Sequence, residues 1–205
     1  MKKALAILAL VAAMFVAGNV QAQSTIYATY SPETFVSGNS SENYQGFSIG
    51  FSQNIGLYKG LGVAVGGQFR LNTNKNVETL LTSTITTKNT QTIIDVPVMI
   101  NYDLAINRDF SLIPMAGVMP SIGLTGNYKI STNESITNFT TENETDWYAN
   151  SNLSRFNLYA VFGLDVKYTN FNLFGGYRLG LLDLDTRDNV SLKTNGWFIG
   201  LGYTL

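Results

Sequence analysis

The chain has 205 residues, a formal net charge of −1, no cysteine and no histidine. A near-neutral charge offers no basic surface for nucleic acid, and the lack of cysteine excludes a disulfide framework. The lack of histidine removes the side chain that most often acts as a general base or proton shuttle.

The first segment, residues 1–22, predicts a secretory signal peptide. Lys2 and Lys3 precede an apolar and small-residue run that is too short to span a bilayer and ends at Val20-Gln21-Ala22. We expect cleavage after Ala22, which leaves residues 23–205 as one outer-membrane β-barrel domain with 11 basic and 14 acidic residues. A retained N-terminal anchor is the alternative.

Alternation of apolar and polar residues with a period of two predicts strands along the rest of the chain. No later run approaches the ~18 apolar residues of a spanning helix, so a membrane crossing would use strands. The predicted strands, eight in number, cover residues 25–35, 44–54, 61–72, 92–104, 109–129, 155–168, 171–183 and 196–205.

The connections between these strands alternate in length. Short connections are predicted at 55–60, 105–108 and 169–170, and long polar ones at 73–91 and 130–154. Outer-membrane barrels have short periplasmic turns and longer external loops, and an even strand number returns both termini to the periplasm. A soluble meander has no reason to show this asymmetry.

One face of each predicted strand from residue 61 onward is apolar and carries no charge. Clean alternation also fits a soluble sandwich, so the aromatic residues of the apolar face decide the orientation. They gather near both strand ends, as in the two aromatic girdles of a lipid-facing band. The girdle candidates are Phe47, Phe69, Tyr102, Phe110, Tyr128, Phe156, Tyr168, Phe171, Trp197 and Tyr203. The sequence therefore predicts an all-β fold, a closed up-and-down antiparallel transmembrane β-barrel.

The opposite face carries charges that are expected to point into the lumen. The interior of an eight-stranded barrel is just wide enough for side chains to fill it, and an unpaired charge there would be costly. The nearly balanced set predicts a polar, salt-bridged plug rather than an open channel, with Glu33 as a further candidate acid. The predicted lumen network comprises Arg70, Asp95, Asp103, Arg155, Asp165, Lys167 and Arg178.

Three prolines, Pro97, Pro114 and Pro120, fall inside predicted strands. Proline removes a ladder hydrogen bond and belongs at edges or bulges. We expect bulges or distorted pairing near these positions; shorter strands are the alternative.

Four segments resemble the OmpX/OmpA-like eight-stranded barrel superfamily, in particular the single-domain outer-membrane β-barrel group also called porin-family or PorT-like. They are IIDVPVMINYDL, LIPMAGVMPSIGLTG, GLDVKYTNFNLFGGYRLGLLDL and the terminal GWFIGLGYTL. The resemblance implies a Gram-negative outer membrane, with membrane lipid and the barrel-assembly machinery as partners. The terminal strand resembles the assembly signal through Trp197, Leu201, Tyr203 and Leu205. Fold-level likeness does not fix an activity.

The predicted external loops offer little chemistry. Glu134, Glu142, Glu144 and Asp146 could collect a hard cation, but their spacing fits no compact cation loop, and a solvated acidic segment is favoured. Barrel enzymes that resemble this chain rely on histidine, which is lacking here. We therefore predict no catalytic residue, no metal and no cofactor.

Two functional hypotheses follow. The first is a non-enzymatic structural or adhesion-like surface protein that acts through external segments 73–91 and 130–154 on an unknown extracellular partner. Trp147 and Tyr148 are candidate external contacts, with packing onto the barrel rim as the alternative. The second hypothesis is a narrow pore or a transporter of small or apolar solutes.

Overall fold

The computed structural model describes residues 22–80, 83–134, 139–146, 148, 153–187 and 191–205. None of these residues belongs to a helix long and apolar enough to cross a membrane. The predicted signal peptide, apart from Ala22, lies outside the described residues. The β-segments are β1 (Ala22–Tyr30), β2 (Glu33–Ser37), β3 (Ser40–Tyr58), β4 (Leu61–Leu80), β5 (Ser83–Asp95), β6 (Val98–Tyr102), β7 (Leu104–Ala105), β8 (Phe110–Glu134), β9 (Phe139–Asp146), β10 (Phe156–Tyr168), β11 (Phe171–Gly180) and β12 (Lys193–Thr204).

These segments form one antiparallel sheet that closes on itself. β12 pairs with β11 on one side and with β1 on the other, from Thr25↔Thr204 to Tyr30↔Ile199. β2 continues β1, and β6 and β7 continue β5, so the ring contains eight strands. Closure pairs the backbone groups that hydrocarbon cannot satisfy. The predicted closed eight-stranded barrel is confirmed.

Tight turns lie at one end of the barrel. Lys59 and Gly60 join β3 to β4 with φ angles of 44° and 89°, the double positive φ of the type I′ hairpin turn. Thr169, with φ 51°, begins the turn from β10 to β11. The start of β1 and the C-terminal residue Leu205 lie at this end, where the Leu205 amide donates to the Ser24 carbonyl at 2.8 Å. The short turns, the start of β1 and the end of β12 thus share the periplasmic end.

Long strand extensions rise from the other end. A spanning strand needs about 9–11 residues, whereas β4 has 20 and β8 has 25. Strand pairing continues to the external ends of these strands, as shown by the pairs Leu80↔Ser83, Ser83↔Glu134 and Glu134↔Phe139. The described parts of segments 73–91 and 130–154, which the sequence predicts as long external connections, are therefore largely strand, because their threonines and isoleucines favour a pleated sheet. We call residues 73–80, 83–91, 125–134 and 139–146 the external sheet.

The ladder is interrupted at Pro97. β5 ends at Asp95 and β6 begins at Val98, while Val96 donates to the Pro120 carbonyl at 2.9 Å. The register does not change across the gap, since Asp95↔Ser121 and Val98↔Val118 keep the same offset. Proline thus removes ladder bonds here without inserting a residue.

A β-bulge in β8 changes which face its upper residues occupy. Thr92 pairs with Thr125 but Ile93 pairs with Gly123, so Leu124 is an extra residue. Tyr128 then lies opposite Asn89, whose buried amide donates to the Tyr44 hydroxyl at 3.0 Å. The prediction that Tyr128 belongs to the outer aromatic girdle is wrong, because the bulge reverses the alternation.

The outer face is apolar and exposed on every strand of the ring. Ile49, Phe171 and Leu201 are 67%, 64% and 67% exposed, respectively. A soluble protein rarely exposes such a continuous apolar band, and acyl chains are the solvent that suits it. Other predicted girdle residues are exposed here or, in the case of Phe110, half-buried: Phe47, Phe69, Tyr102, Phe156, Tyr168, Trp197 and Tyr203.

Candidate functional site

Four charged side chains meet inside the barrel: Glu33 from β2, Arg70 from β4, Asp95 from β5 and Arg178 from β11. Their exposed fractions are 1%, 0%, 0% and 2%. We call them the buried charge cluster. The charges of two acidic and two basic side chains sum to zero, which lowers the cost of burying them in a low-dielectric interior.

Arg70 is the centre of the cluster. Its Nη1 donates to Glu33 Oε2 at 2.6 Å, while Nε and Nη2 donate to the two Asp95 oxygens at 2.9 and 3.1 Å. This two-pronged contact is the strong geometry for an arginine and a carboxylate. Removing Arg70 would leave the buried Asp95 without its cation and Glu33 with only the more distant Arg178.

Neutral side chains donate further hydrogen bonds to both carboxylates of the cluster. Asp95 accepts from Gln68 at 2.7 Å and from the Ser121 hydroxyl. Glu33 accepts from Asn72 at 2.7 Å and from the Tyr159 hydroxyl. Satisfied lone pairs are what make a buried ion network tolerable.

Arg178 is less well partnered than Arg70. Its Nη2 donates to the Ser31 carbonyl at 2.9 Å and lies 3.8 Å from Glu33 Oε2. Its guanidinium carbon lies 5.7 Å from the Tyr159 ring centroid. The buried Arg178 Nε has no hydrogen-bond acceptor within the part of the chain that the structure describes.

The cluster separates two cavities. The periplasmic one has a volume of ≈ 160 Å³ and is lined by Arg178 and Gln68 among others, and the external one of ≈ 30 Å³ is lined by Glu33 and Arg70. Since all four cluster residues are buried, the charges close the lumen between the cavities.

The predicted lumen residues lie at three heights. Arg70, Asp95 and Arg178 belong to the buried charge cluster. Asp165 and Lys167 lie nearer the periplasmic end, where Asp165 accepts from Asn172 at 2.8 Å and Lys167 donates to Gln23 at 2.8 Å.

Asp103 and Arg155 differ from the expectation of a single network. Both are exposed, Asp103 near the short turns and Arg155 at the external mouth. Arg155 donates to the Leu124 carbonyl at 2.8 Å and lies 4.8 Å from the Tyr148 ring centroid. Alternation assigns a residue to a face but not to a depth, so these two charges reach solvent.

Tyr148 does not project outward as an external contact. It is half-buried, lines the external cavity, and occupies the space beside Gly123 where a Cβ atom would fall. Burial raises the pKa of its hydroxyl. The structure therefore places Tyr148 against the barrel mouth; Trp147 lies outside the described residues.

A row of lysines crosses the external sheet, and sequence reasoning missed it. Lys75 lies directly opposite Lys88, and Lys88 lies directly opposite Lys129. They share the outward face, because the adjacent Asn89 points inward. Glu144 of β9 follows Lys129 in register. We call Lys75, Lys88 and Lys129 the lysine row.

Other predicted features have these positions. The assembly-signal residues Trp197, Leu201, Tyr203 and Leu205 are exposed on the outer face. Among the described residues no group of three or more histidine, cysteine or acidic side chains could hold a metal ion.

A closed eight-stranded barrel with an apolar exterior, a polar interior and short turns at one end is an integral outer-membrane β-barrel. The chain is such a protein, with the closed eight-stranded barrel that the resemblance to OmpX/OmpA-like barrels implies.

No model of a known family matches the sequence, and no curated protein is similar to it. Ail of Yersinia pestis, solved with the heparin analogue sucrose octasulfate, is 18% identical with a TM-score of 0.47, covering 90% of this chain and 99% of that one. Neisserial surface protein A is 16% identical with a TM-score of 0.42, covering 89% and 97%. The protease OmpT of Escherichia coli is 10% identical with a TM-score of 0.36, covering 90% and 96%.

Proposed function

We propose that the protein is a non-enzymatic surface-interaction protein whose external sheet binds a polyanionic partner outside the cell. The observation that carries the proposal is the lysine row, in which Lys75, Lys88 and Lys129 oppose one another across three paired strands. The row lies within or beside both segments, 73–91 and 130–154, that the sequence assigns to the exterior.

The row is hard to explain as a folding feature. Like charges directly opposite each other across strands are destabilising, by up to about 1 kcal/mol per pair. Neighbouring strands lie about 4.8 Å apart, so the three lysines lie within roughly 10 Å of one another; Lys75 and Lys88 are exposed, and Lys129 is half-buried with Glu144 opposite it. Sulfate or phosphate groups repeated along a glycan would neutralise such a row.

The barrel beneath supports this role as a scaffold. The register continues without a break from Phe69↔Ile94 in the barrel wall to Lys75↔Lys88 in the external sheet. A rigid connection of this kind holds the lysines in place before a partner arrives, which lowers the ordering cost of binding.

The test is binding of a sulfated oligosaccharide to the protein in lipid nanodiscs. The triple variant Lys75→Gln/Lys88→Gln/Lys129→Gln should bind about tenfold or more weakly, since a charge-assisted hydrogen bond contributes about 1.5–3 kcal/mol. The matched control, Lys59→Gln/Arg108→Gln/Lys193→Gln, has the same change in net charge and should bind like the wild type. Equal binding by both variants would end the proposal.

A second variant tests whether the scaffold is independent of the sheet tip. Deleting residues 131–142 rejoins the register pair Ile130↔Asn143 and should leave heat-modifiable gel migration of the folded barrel unchanged. If the deletion abolished folding into detergent, the separation of scaffold and binding surface would be wrong.

A narrow pore or small-solute transporter is the second candidate, favoured by the ≈ 160 Å³ lumen cavity. Planar-bilayer recording distinguishes it. A steady single-channel conductance that changes in Arg178→Ala would support the pore, whereas silent membranes containing folded protein would support a closed lumen.

A further inference from the structure

The periplasmic half of the lumen contains a cavity that the external sheet does not involve. Its volume is ≈ 160 Å³, and Met99, Met115, Met119, Phe174 and Phe198 form much of its apolar wall. Eight-stranded barrels usually fill this space with side chains. Methionine and phenylalanine give a soft, adaptable apolar surface of the kind that accepts varied ligands.

The cavity is large enough for one small organic molecule. An engineered apolar cavity of about 150 Å³ in another protein binds benzene. Gly163 leaves room for two of the lining side chains, because a Cβ atom there would lie 2.9 Å from Met115 Cε and 3.4 Å from Phe198 Cζ. A single ring with one small substituent matches the volume.

The cavity is closed at one end and open at the other. Arg178, at the inner end, is 2% exposed, while Gln23 and Asp103 on the same lining are exposed beside the short turns. Because the short turns mark the periplasmic side, a ligand would enter from the periplasm.

The inner end is suited to a hydrogen-bond acceptor with negative charge. Arg178 donates to one carbonyl, lies 3.8 Å from the Glu33 carboxylate, and leaves Nε unpaired among the described residues. Glu33 is already held by Arg70, Asn72 and Tyr159. A buried guanidinium with an unused Nε donor gains most from a carboxylate.

Glu33 and Asp95 of the buried charge cluster lie at this end and are held by Arg70, whereas the charged residues lower in the cavity lie away from it. Asp165 pairs with Phe174, four positions along β11 from Arg178, which corresponds to about 13 Å at ~3.3 Å per residue. Lys167 lies beyond Asp165 towards the periplasm and donates to Gln23. An anion at Arg178 would therefore be remote from the Asp165 carboxylate.

We propose that the lumen is a blind, periplasm-facing pocket for a small apolar carboxylate, whose charged group pairs with Arg178 and whose body packs on the methionines. The pocket takes a molecule about the size of benzoate.

The chain offers a direct probe. Its five methionines are Met1 and Met14 in the predicted signal peptide and Met99, Met115 and Met119 in the cavity wall. Mature protein labelled at the methionine methyl groups, folded in detergent, therefore gives three native signals that all report on the pocket. Benzoate and neutral benzyl alcohol, which are similar in size, are titrated separately.

Benzoate should shift all three signals saturably and bind about tenfold more tightly than benzyl alcohol, because only benzoate forms the charge-assisted bond. In Arg178→Gln, checked for folding by heat-modifiable migration, the two probes should bind equally. The lack of saturable shifts with benzoate in the wild type would overturn the proposal whether or not the variant folds. Equal affinities of the wild type for the two probes would do the same.

Discussion

The protein handles charge in opposite ways in two of its regions. In the lumen, Arg70 holds Glu33 and Asp95 with both carboxylates fully satisfied and no exposure to solvent. On the external sheet, Lys88 lies between two other lysines and is exposed. The first arrangement is what folding demands of a narrow barrel; the second places like charges directly opposite one another, which is unfavourable for folding.

The largest effect is expected from breaking the buried charge cluster. Arg70→Met should lower the free energy of unfolding by about 3–5 kcal/mol, because the buried Asp95 loses its cation and Glu33 loses its nearer one. Urea titration of folding in detergent measures this. The same substitution at the exposed Arg108 should change it by no more than about 0.5 kcal/mol. Equal effects at the two sites would remove the contrast between interior and surface.

A glycine of the inner face should be the next most sensitive position. A Cβ atom at Gly176 would lie 2.7 Å from Gly163 Cα and 2.8 Å from Phe198 Cζ, whereas at Gly67, on the outer face, the nearest atom is 3.5 Å away in Phe51. Gly176→Ala should cost about 1–3 kcal/mol of stability through overpacking. Gly67→Ala should be close to neutral in the same urea titration. A tolerated alanine at Gly176 would show that the interior is looser than described.

Reversing the middle charge of the lysine row should separate stability from binding. Lys88→Glu replaces two like-charge pairs by opposite-charge pairs and should stabilise the barrel by about 0.2–1 kcal/mol per pair, while weakening sulfated-oligosaccharide binding. Lys193→Glu, on β12 opposite Val36, should change neither the stability nor the binding of the sulfated oligosaccharide. A loss of stability in Lys88→Glu would show that the row has a folding role after all.

The smallest effect concerns an opposite-charge pair in the external connection after β11. Arg187 donates to Asp185 at 2.6 and 2.9 Å and lowers the pKa of that carboxyl to about 2. A lowered pKa means that the pair stabilises the folded state above the ordinary aspartate pKa near 3.9 and loses this effect as pH falls towards 2. Carboxyl NMR titration of Arg187→Gln should find the Asp185 pKa returned towards 3.9. An unchanged value would assign the shift to another contact.

The strands and their faces could be predicted from sequence because alternation is a local property. Tyr128 could not be placed, since the bulge at Leu124 depends on pairing between β5 and β8. The position of a charged residue along the barrel axis could not be predicted either. Asp103 and Asp95 both belong to the inner face by alternation, but they lie at different heights in the barrel.

The two candidate sites depend on register between strands far apart in the chain. Glu33 reaches Arg70 because the strand is interrupted between β1 and β2. At this interruption the Ser31 amide donates to the Gly46 carbonyl at 2.8 Å. Lys75, Lys88 and Lys129 form a row only when three strands are aligned. No pattern within one segment carries this information.

The central claim is that apolar side chains face lipid and charged ones face a closed interior. The chain has no cysteine, so a single cysteine at Ile199 or Leu201 can carry a spin label in protein reconstituted into bilayers. The label should be relaxed strongly by oxygen dissolved in the membrane and weakly by a water-soluble nickel complex. Strong relaxation by the nickel complex and weak relaxation by oxygen at both positions would contradict the arrangement.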